Sequence, residues 1–415
     1  MDIRIRDTNK AIENIIKISS LLYIIDIFII SQLNLNLNIR VQDIASLLSI
    51  FSLPYIIKRH RNTTKNFSYI VLYINIFLTY IMISSMLFYI KGNINEMFVF
   101  YIGKEIEFIL CMITISYFSQ NYNDNFYRIL CILIITNIIY GFYQIFTGKT
   151  SYYGIGTIFE EAPSISGMIY FICSVVSFVM YKKFAIKRFK GYSLLTYVLT
   201  IFTISKTSIL GLTIFYILFF ILEKLYNINI IIKGEKQDKR LISFRKILLT
   251  FIILILICIL AIIFLNVSIT INILRNEWIQ KIVYRFNLFN SSYSFRKNKA
   301  RFYYDYFIGD SILSLFFGCG KGITEFAFDV NTLGVDNQFV RGIIELGLVG
   351  IIIWLGIILS IIIFIRKCRP SNNFILIVSL FIAYLFMGMG YEVFIVTKAG
   401  IIFWFLTGVF IGDDI

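Results

Sequence analysis

The sequence SSYSFRKNKARFYYDYF (residues 291–307) opens a polar segment in a chain that is otherwise largely apolar. It is followed by the glycine cluster GCGKG (318–322) and by VDNQFVRGIIELGLVG (335–350), which leads into a long apolar run. Clustered arginines, a glycine-rich turn and an Asp-Asn pair are concentrated in this one part of the chain. If the protein carries out chemistry, we expect the reacting groups here.

The composition outside this segment is that of a membrane protein. The 415 residues are 58% hydrophobic and 15% charged, and the mean hydropathy is +0.81, whereas soluble proteins have about 25% charged residues. Apolar runs of about twenty residues recur, each long enough to cross the hydrocarbon core as a helix. Because backbone groups cannot remain unpaired in lipid, we predict an all-α polytopic membrane protein.

Length and hydropathy predict about twelve transmembrane helices. They cover Ile15–Leu33, Val41–Ile57, Tyr69–Ile90, Met97–Phe118, Tyr127–Phe146, Ser164–Tyr181, Tyr192–Thr203, Thr207–Leu222, Ile247–Val267, Phe339–Ile365, Phe374–Gly390 and Phe394–Ile411. Residues 1–415 are interpreted as a single integral membrane domain. Residues 268–338 form one large extracytoplasmic loop between spans nine and ten.

The charges indicate topology rather than nucleic-acid binding. The net charge of +15 is concentrated in short basic clusters between apolar runs, as the positive-inside rule produces. These clusters, at residues 58–61, 182–190, 223–246 and 366–369, follow spans two, six, eight and ten. Both termini are therefore predicted to be cytoplasmic. The six cysteines show neither a disulfide framework nor metal-ligand spacing, and we predict no metal and no cofactor.

Ionisable residues also occur inside the predicted fourth span, at FYIGKEIEFIL (100–110). Lys104 and Glu107 are one helical turn apart and can pair, so Glu105 needs a partner from another helix. An interhelical ion pair and a role in a site both remain open for Glu105. Lys206 lies in an outer turn, where it is either a snorkelling anchor or a ligand for an anionic headgroup.

The shorter outer loop between spans five and six carries Glu160 and Glu161 just before Pro163. Acidic residues near a helix amino terminus are favourable by themselves, and carboxylates also bind sugar hydroxyls. Both interpretations remain open. In the large loop, Arg301 and Asp305 are four residues apart on a predicted surface helix and can form an ion pair.

Arg296 has no acidic partner nearby on that helix, and its planar guanidinium suits bidentate phosphate binding. The three glycines of the cluster are candidates for a phosphate-binding nest. Asp336-Asn337 is interpreted either as the cap of the tenth span or as an acid and an amide facing a lipid-linked substrate. Arg341 and Glu345, again four residues apart, can pair with each other.

Four stretches, in this order, resemble the O-antigen polymerase and O-antigen ligase superfamily of bacterial membrane glycosyltransferases. They are GTIFEEAPSISGM (156–168), TISKTSILG (203–211), SFRKNKARFYYDYFIGDSILSLFFGCGKG (294–322) and DNQFVRGIIELGLVGIIIWL (336–355). The first four spans match this superfamily only in hydropathy. No single motif is specific, but the order, with the large loop after span nine, is typical of the superfamily.

The resemblance implies joining of sugar chains carried on undecaprenyl diphosphate, at the outer face of the cytoplasmic membrane, without a nucleotide sugar or a metal. It implies Arg296 as a diphosphate ligand, with Lys206 at a second such position. The chemistry of glycosidic bond formation makes Asp336 the candidate catalytic base with Glu161 second, and we predict Arg301, Asn337 and Glu160 as further substrate ligands. Lys206 stands where the family has an arginine. It keeps the positive charge but lacks the planar guanidinium that binds a diphosphate through two hydrogen bonds. The implied partners are lipid-linked donor and acceptor glycans, the bilayer, and flippase and chain-length regulator proteins, with no nucleic acid.

Two further functions compete with a repeat-unit polymerase. A flippase for the same lipids would line a central cavity with charges from many spans, whereas this chain concentrates its polar residues in one loop. A ligase of the same superfamily typically carries His-Asn where this chain has Asp336-Asn337. The missing histidine argues against the ligase, and we expect a polymerase.

Overall fold

The computed structural model describes residues 2–28, 40–63, 67–90, 98–147, 156–157, 163–203, 205–232, 291–309, 311–326, 337–368, 372–388, 393–394 and 397–414. Within these ranges the chain is helical and contains no β-strand. The all-helical prediction is therefore confirmed for the part of the chain that the structure describes.

The helices in chain order are α1 (Asp2–Phe28), α2 (Val41–Thr63), α3 (Phe67–Ile90), α4 (Phe98–Asn121), α5 (Asn123–Thr147), α6 (Pro163–Phe184), α7 (Lys187–Phe202), α8 (Lys206–Ile232), α9 (Ser291–Phe307), α10 (Ile312–Phe317), α11 (Ile323–Phe326), α12 (Gln338–Cys368), α13 (Asn372–Gly388) and α14 (Thr397–Asp414). Each predicted span except the ninth falls on one of them. The ninth, Ile247–Val267, lies outside the described residues.

Six helical segments in the described ranges are long and apolar enough to cross a membrane. They are Val41–Arg59, Phe67–Ile90, Asn123–Thr147, Ile165–Phe184, Lys206–Leu225 and Gln338–Arg366. The protein is thus a helical membrane protein by length and composition of its helices. The total of twelve spans and the orientation of the termini stay predictions.

Two helices, α6 and α14, occupy the centre of the bundle. Residues 166–180 of α6 and residues 399–412 of α14 are all buried. A helix that is apolar on every side is expected to be surrounded by other helices, and these two meet that description. Helix α14 is consequently a central packing element of the helical bundle.

Glycines allow α14 to approach α4 closely. A Cβ atom added at Gly408 would lie 2.6 Å from the carbonyl oxygen of Met112, and one added at Gly412 would overlap the carbonyl oxygen of Ser116. Membrane helices commonly pack through small residues four apart, because lipid tails provide no hydrophobic force between helices. The spacing of Gly408 and Gly412 therefore sets backbone-to-backbone packing here.

Two ion pairs between helices distinguish the two ends of the bundle. At one end, Arg40 just before α2 pairs with Glu107, nine residues after the start of α4, at 3.2 Å. At the other end, Lys182 near the end of α6 pairs with Glu223 of α8, at 2.6 Å. This arrangement agrees with helices that run alternately up and down. We call the end with Arg40 and Glu107 the site end; it is the one predicted to be extracytoplasmic.

Candidate functional site

Helix α12 is broken close to the site end. Gly347 has φ 65° and ψ 178°, which interrupts the helix between two helical stretches. The carbonyl oxygens just before the break accept hydrogen bonds from the glycine cluster instead. The Cys319 N–H donates to the Ile344 oxygen at 2.6 Å, and the Gly320 N–H donates to the Glu345 oxygen at 3.2 Å. The polar segment thus supplies backbone bonds that the broken helix lacks.

Two glycines make this contact possible. Gly318 has φ 73°, and a Cβ atom added to it would lie 2.6 Å from the Glu345 oxygen and 2.7 Å from the Gly347 nitrogen. A Cβ atom added to Gly347 would in turn overlap the Gly318 nitrogen. Both positions require the left-handed backbone that favours glycine. Any side chain at either position would push the two backbones apart.

Helix α3 holds the same region from a third side. The Tyr80 hydroxyl lies 2.7 Å from the Leu346 oxygen and 3.0 Å from the Phe317 oxygen. The Lys321 N–H donates to the Ser85 hydroxyl at 3.0 Å. The glycine cluster is therefore fixed between α3 and α12 by its backbone.

These bonds correct the prediction of a phosphate nest. A nest needs several backbone N–H groups that are free to face an anion. The N–H groups of Cys319 and Gly320 donate to the carbonyl oxygens of Ile344 and Glu345 in α12. The N–H group of Lys321 donates to the hydroxyl of Ser85 in α3. The nest hypothesis is wrong for these groups, because the cluster uses its glycines for close packing.

Four charged side chains, which we call the buried quartet, lie beneath the glycine cluster: Glu105, Lys321, Arg341 and Glu345. Lys321 Nζ lies 2.6 Å from Glu105 Oε1 and 3.5 Å from Glu345 Oε2. Arg341 Nε donates to Glu345 Oε1 at 2.9 Å, which confirms the predicted pair four residues apart. Thr324 Oγ1 donates to the same oxygen at 2.8 Å.

The quartet is electrically balanced and almost completely enclosed. Lys321 exposes 3% of its surface, Arg341 2% and Glu345 1%. Burial alone lowers the pKa of Lys321, but the carboxylates of Glu105 and Glu345 outweigh burial and raise it above its ordinary value. Two cations and two anions cancel, so the quartet offers no net charge to a ligand.

Glu105 does find a partner outside its own helix, as its spacing predicted. The partner is Lys321 of the loop between α10 and α11, whereas we expected one from another transmembrane helix. Lys321 itself was missed as a charge partner by the sequence reasoning. The sequence does contain a signal for this pair. Lys321 lies in a glycine run flanked by apolar residues, and a cation in such surroundings needs a buried anion as its partner.

A second polar group lies where α2 begins and packs against α4. Arg40 Nη2 lies 2.7 Å from Asp43 Oδ1, and Gln42 Nε2 donates to Glu107 Oε2 at 2.7 Å. Together with the Arg40–Glu107 pair, these contacts join the start of α2 to the tenth residue of α4. In the described residues no group of three metal-ligating side chains comes together, at this place or elsewhere.

Several predicted site residues lie outside the described part of the chain: Asp336, Glu160 and Glu161, together with the side chain of Arg296, whose backbone belongs to α9. Their catalytic and binding roles stay predictions. What the structure does describe is the position of α9 and of the start of α12, the two elements that carry or adjoin Arg296 and Asp336.

The described candidates have clear local environments. Arg301 Nε lies 3.6 Å from Asp305 Oδ2, with side chains 81% and 64% exposed, so the predicted ion pair is confirmed. Asn337 Oδ1 accepts hydrogen bonds from the N–H groups of Phe339 at 3.0 Å and Val340 at 3.1 Å. Asn337 is thus the predicted amino-terminal cap of α12.

Lys206 is the first residue of α8 and is half-buried. The turn that contains it packs against α6, where a Cβ atom added at Gly167 would lie 2.5 Å from Ser205 Cβ. Ser205 and Ser208 are linked through their hydroxyls at 2.9 Å. This turn and the first turns of α6 therefore form one packed unit.

Helix α9 is fixed to the glycine cluster and to α12. Tyr303 is buried in a small hydrophobic cluster with Ile344 of α12 and Cys319. The Cys319 thiol donates to the Phe307 oxygen at 3.4 Å. Phe302 and Tyr306 remain exposed, with stacked rings 6.1 Å apart, in keeping with an interfacial aromatic belt.

The fold and this region define a helical membrane protein in which a polar segment docks on one end of the bundle through interlocked glycines and a buried ion network. No protein-family model matches the chain, and no curated protein matches it significantly.

Proposed function

We propose that the protein is a membrane glycosyltransferase, a polymerase of oligosaccharide repeat units carried on undecaprenyl diphosphate. The reaction would take place at the outer face of the bacterial cytoplasmic membrane, and its product would be a cell-envelope polysaccharide such as O-antigen, capsule or exopolysaccharide. The proposal is supported by the ordered resemblance of four stretches, and one structural observation carries it further.

That observation is the pairwise contact between the four stretches. The first and second meet where Gly167 of α6 packs on Ser205 of the Lys206 turn. The third and fourth meet where Cys319 and Gly320 bond to the broken part of α12. Residues far apart in sequence are thereby brought together in two pairs, one on α6 and α8 and one on α9 to α12. The proposal places a composite site for a large lipid-linked substrate between the two pairs.

The chemistry assigns a role to each kind of candidate. An acceptor hydroxyl attacks the anomeric carbon of the donor sugar, and the bond from that carbon to the diphosphate oxygen breaks. A base takes the proton of the hydroxyl, and cations stabilise the departing diphosphate. We assign the base to Asp336, with Glu161 second, and the leaving group to Arg296 and Lys206.

The buried quartet acts on this reaction by positioning. Glu345 and Arg341 lie in the first turns of α12, and Lys321 ties them to the loop that holds α9. The quartet thus fixes the position of α9, which carries Arg296, relative to the start of α12, which adjoins Asp336. Because catalysis depends on the position of reacting groups to within about 1 Å, a rigid anchor between these elements serves the proposed reaction.

The decisive experiment is the lipid-linked glycan profile of a strain that lacks the protein. Extracted undecaprenyl-diphosphate species are analysed by mass spectrometry, and their side of the membrane is determined. The polymerase predicts single repeat units at the outer face and loss of long polymer. Full-length polymer still on its lipid would indicate a ligase, and repeat units trapped on the inner face would indicate a flippase.

A further inference from the structure

We propose that residues 311–322 form a re-entrant segment that enters one leaflet of the bilayer, and that the exposed apolar face of α10 contacts lipid chains there. The sequence pattern had placed this whole region in an extramembranous loop. The inference depends only on the membrane-spanning helices and does not depend on the proposed function.

The depth of the segment is first measured along α3. The Phe317 carbonyl accepts hydrogen bonds from Tyr80 at 3.0 Å and Ser84 at 3.2 Å. These residues lie ten and six residues before α3 ends at Ile90. At 1.5 Å per residue, the contacts lie about 9–15 Å below the end of that helix. Half of the hydrocarbon core is about 15 Å thick, so this depth is within the leaflet.

Two other helices hold the segment at a similar number of residues from their ends. Glu105, the partner of Lys321, comes seven residues after α4 begins at Phe98. Gly347, which packs on Gly318, comes nine residues after α12 begins at Gln338. Both positions are about 10–14 Å from their helix ends. Because Glu107, two residues further along α4, pairs with Arg40 at the start of α2, the end of α4 does not mark the edge of the membrane. The depth is therefore taken from α3, which is apolar over its whole length and carries no charged residue.

The backbone hydrogen bonds of the segment are satisfied by protein groups, as a position within the membrane requires. Irregular backbone is tolerated at membrane depth only where protein groups satisfy its hydrogen bonds. The N–H groups of Cys319, Gly320 and Lys321 all donate to α12 or α3, and the Phe317 oxygen accepts from α3. The only charge of residues 311–322 is that of Lys321, which is neutralised in the buried quartet.

The outward face of α10 is apolar and uncovered. Ile312 and Leu313 are 71% and 72% exposed, and Phe316 and Phe317 are 46% and 49% exposed. Leaving such side chains in water would cost about 25 cal/mol for each Å² of apolar surface. Lipid chains at the depth measured above remove this cost. The neighbouring helix α9 instead exposes Arg301 and Asp305, which places the water boundary between the two helices.

The test is fluorescence quenching of a tryptophan at Leu313 in proteoliposomes. Leu313→Trp and the matched control Arg301→Trp both replace exposed residues, and the signal of the three native tryptophans is subtracted with the parent protein. We expect phospholipids brominated on their acyl chains to quench Leu313→Trp at least several-fold more than aqueous iodide. The control should show the reverse order.

Ile312→Trp provides a second variant on the same face, with the same expectation. Quenching of the α10 tryptophans by iodide and not by brominated lipid would overturn the proposal, since the segment would then lie in water. Protection from both quenchers would overturn it equally, because the face would then be covered by protein.

Discussion

Lys321 Nζ lies 2.6 Å from Glu105 Oε1, and this contact joins a loop residue to helix α4, 216 positions away in the sequence. A buried ion pair is costly to form, because both ions lose their hydration. Here the second carboxylate, Glu345, and the second cation, Arg341, complete a neutral group. The pair therefore contributes mainly to where the polar segment docks, and its stability depends on all four charges being present.

Removal of one member of the pair should destabilise the protein strongly. Lys321→Met leaves the group with one net negative charge, and Glu105→Gln leaves it with one net positive charge. Each single change should cost about 3–5 kcal/mol, since it leaves an uncompensated buried charge. The measurement is thermal unfolding of the purified protein in detergent, which should show a lower Tm for each variant.

The double variant tests the cause of that loss. Lys321→Met combined with Glu105→Gln leaves the neutral Arg341–Glu345 pair, so its loss should be clearly smaller than the sum of the single losses. Asp305→Asn, in the exposed pair with Arg301, is the control and should leave Tm nearly unchanged. Strict additivity of the two buried changes would argue against coupling through charge.

Alanine at Gly347 should separate the polar segment from α12. The added Cβ would overlap the Gly318 nitrogen, and the residue would also be held at φ 65°. We expect a loss of roughly 1–3 kcal/mol or more, because neither backbone can move without breaking its hydrogen bonds. Limited proteolysis of the polar segment should become faster, and Tm should fall.

Gly103→Ala is the matched control for this change. A Cβ atom added at Gly103 meets nothing within 4 Å, and the residue is helical. Alanine there should be neutral or stabilising by roughly 0.5–1 kcal/mol. Equal behaviour of the two variants would show that the Gly318–Gly347 crossing does not matter for docking.

Arg296→Ala should abolish polymer formation while the protein still accumulates in the membrane. The expected reason is loss of the bidentate cation that holds the departing diphosphate. The measurement is polysaccharide chain length in a deletion strain complemented with each variant. Arg188→Ala, an exposed arginine at the opposite end of the bundle, should restore normal chains. Normal long chains from Arg296→Ala would contradict its assignment.

Asn337 can be tested for a role beyond capping. Asn337→Ser retains a good helix cap, whereas Asn337→Ala should cost about 1 kcal/mol of stability. If the amide also binds substrate, Asn337→Ser should keep the Tm of the parent protein and lose polymerase activity. Full activity of Asn337→Ser would confine the residue to its structural role.

The raised pKa of Lys321 predicts a stability effect that is independent of pH over the physiological range. A group whose pKa is higher in the folded protein contributes stability that is fully present below its ordinary pKa of 10.5 and is lost as the pH rises through the raised value. The double variant Lys321→Met with Glu105→Gln leaves no unpaired carboxylate, so its Tm difference from the parent protein should stay constant from about pH 6 to pH 9. A difference that disappears within this range would show that Lys321 is not held as a cation by its carboxylates.

The sequence by itself determined the features that depend on hydropathy and on near neighbours. The predicted span Tyr69–Ile90 corresponds to α3, Phe67–Ile90, because the length of an apolar run is fixed by the thickness of the bilayer. The Arg341–Glu345 pair followed from four-residue spacing on a helix, and the Asn337 cap from the residue types that accept bonds at helix starts.

Only the tertiary structure decided how distant segments meet. Neither the Lys321–Glu105 pair nor the crossing of Gly318 with Gly347 follows from local spacing, because each joins segments that come together only when the helices pack. The same holds for the conversion of the glycine cluster from a predicted anion nest into a docking loop. A backbone N–H can serve an anion or a carbonyl, and the break in α12 supplied the carbonyls.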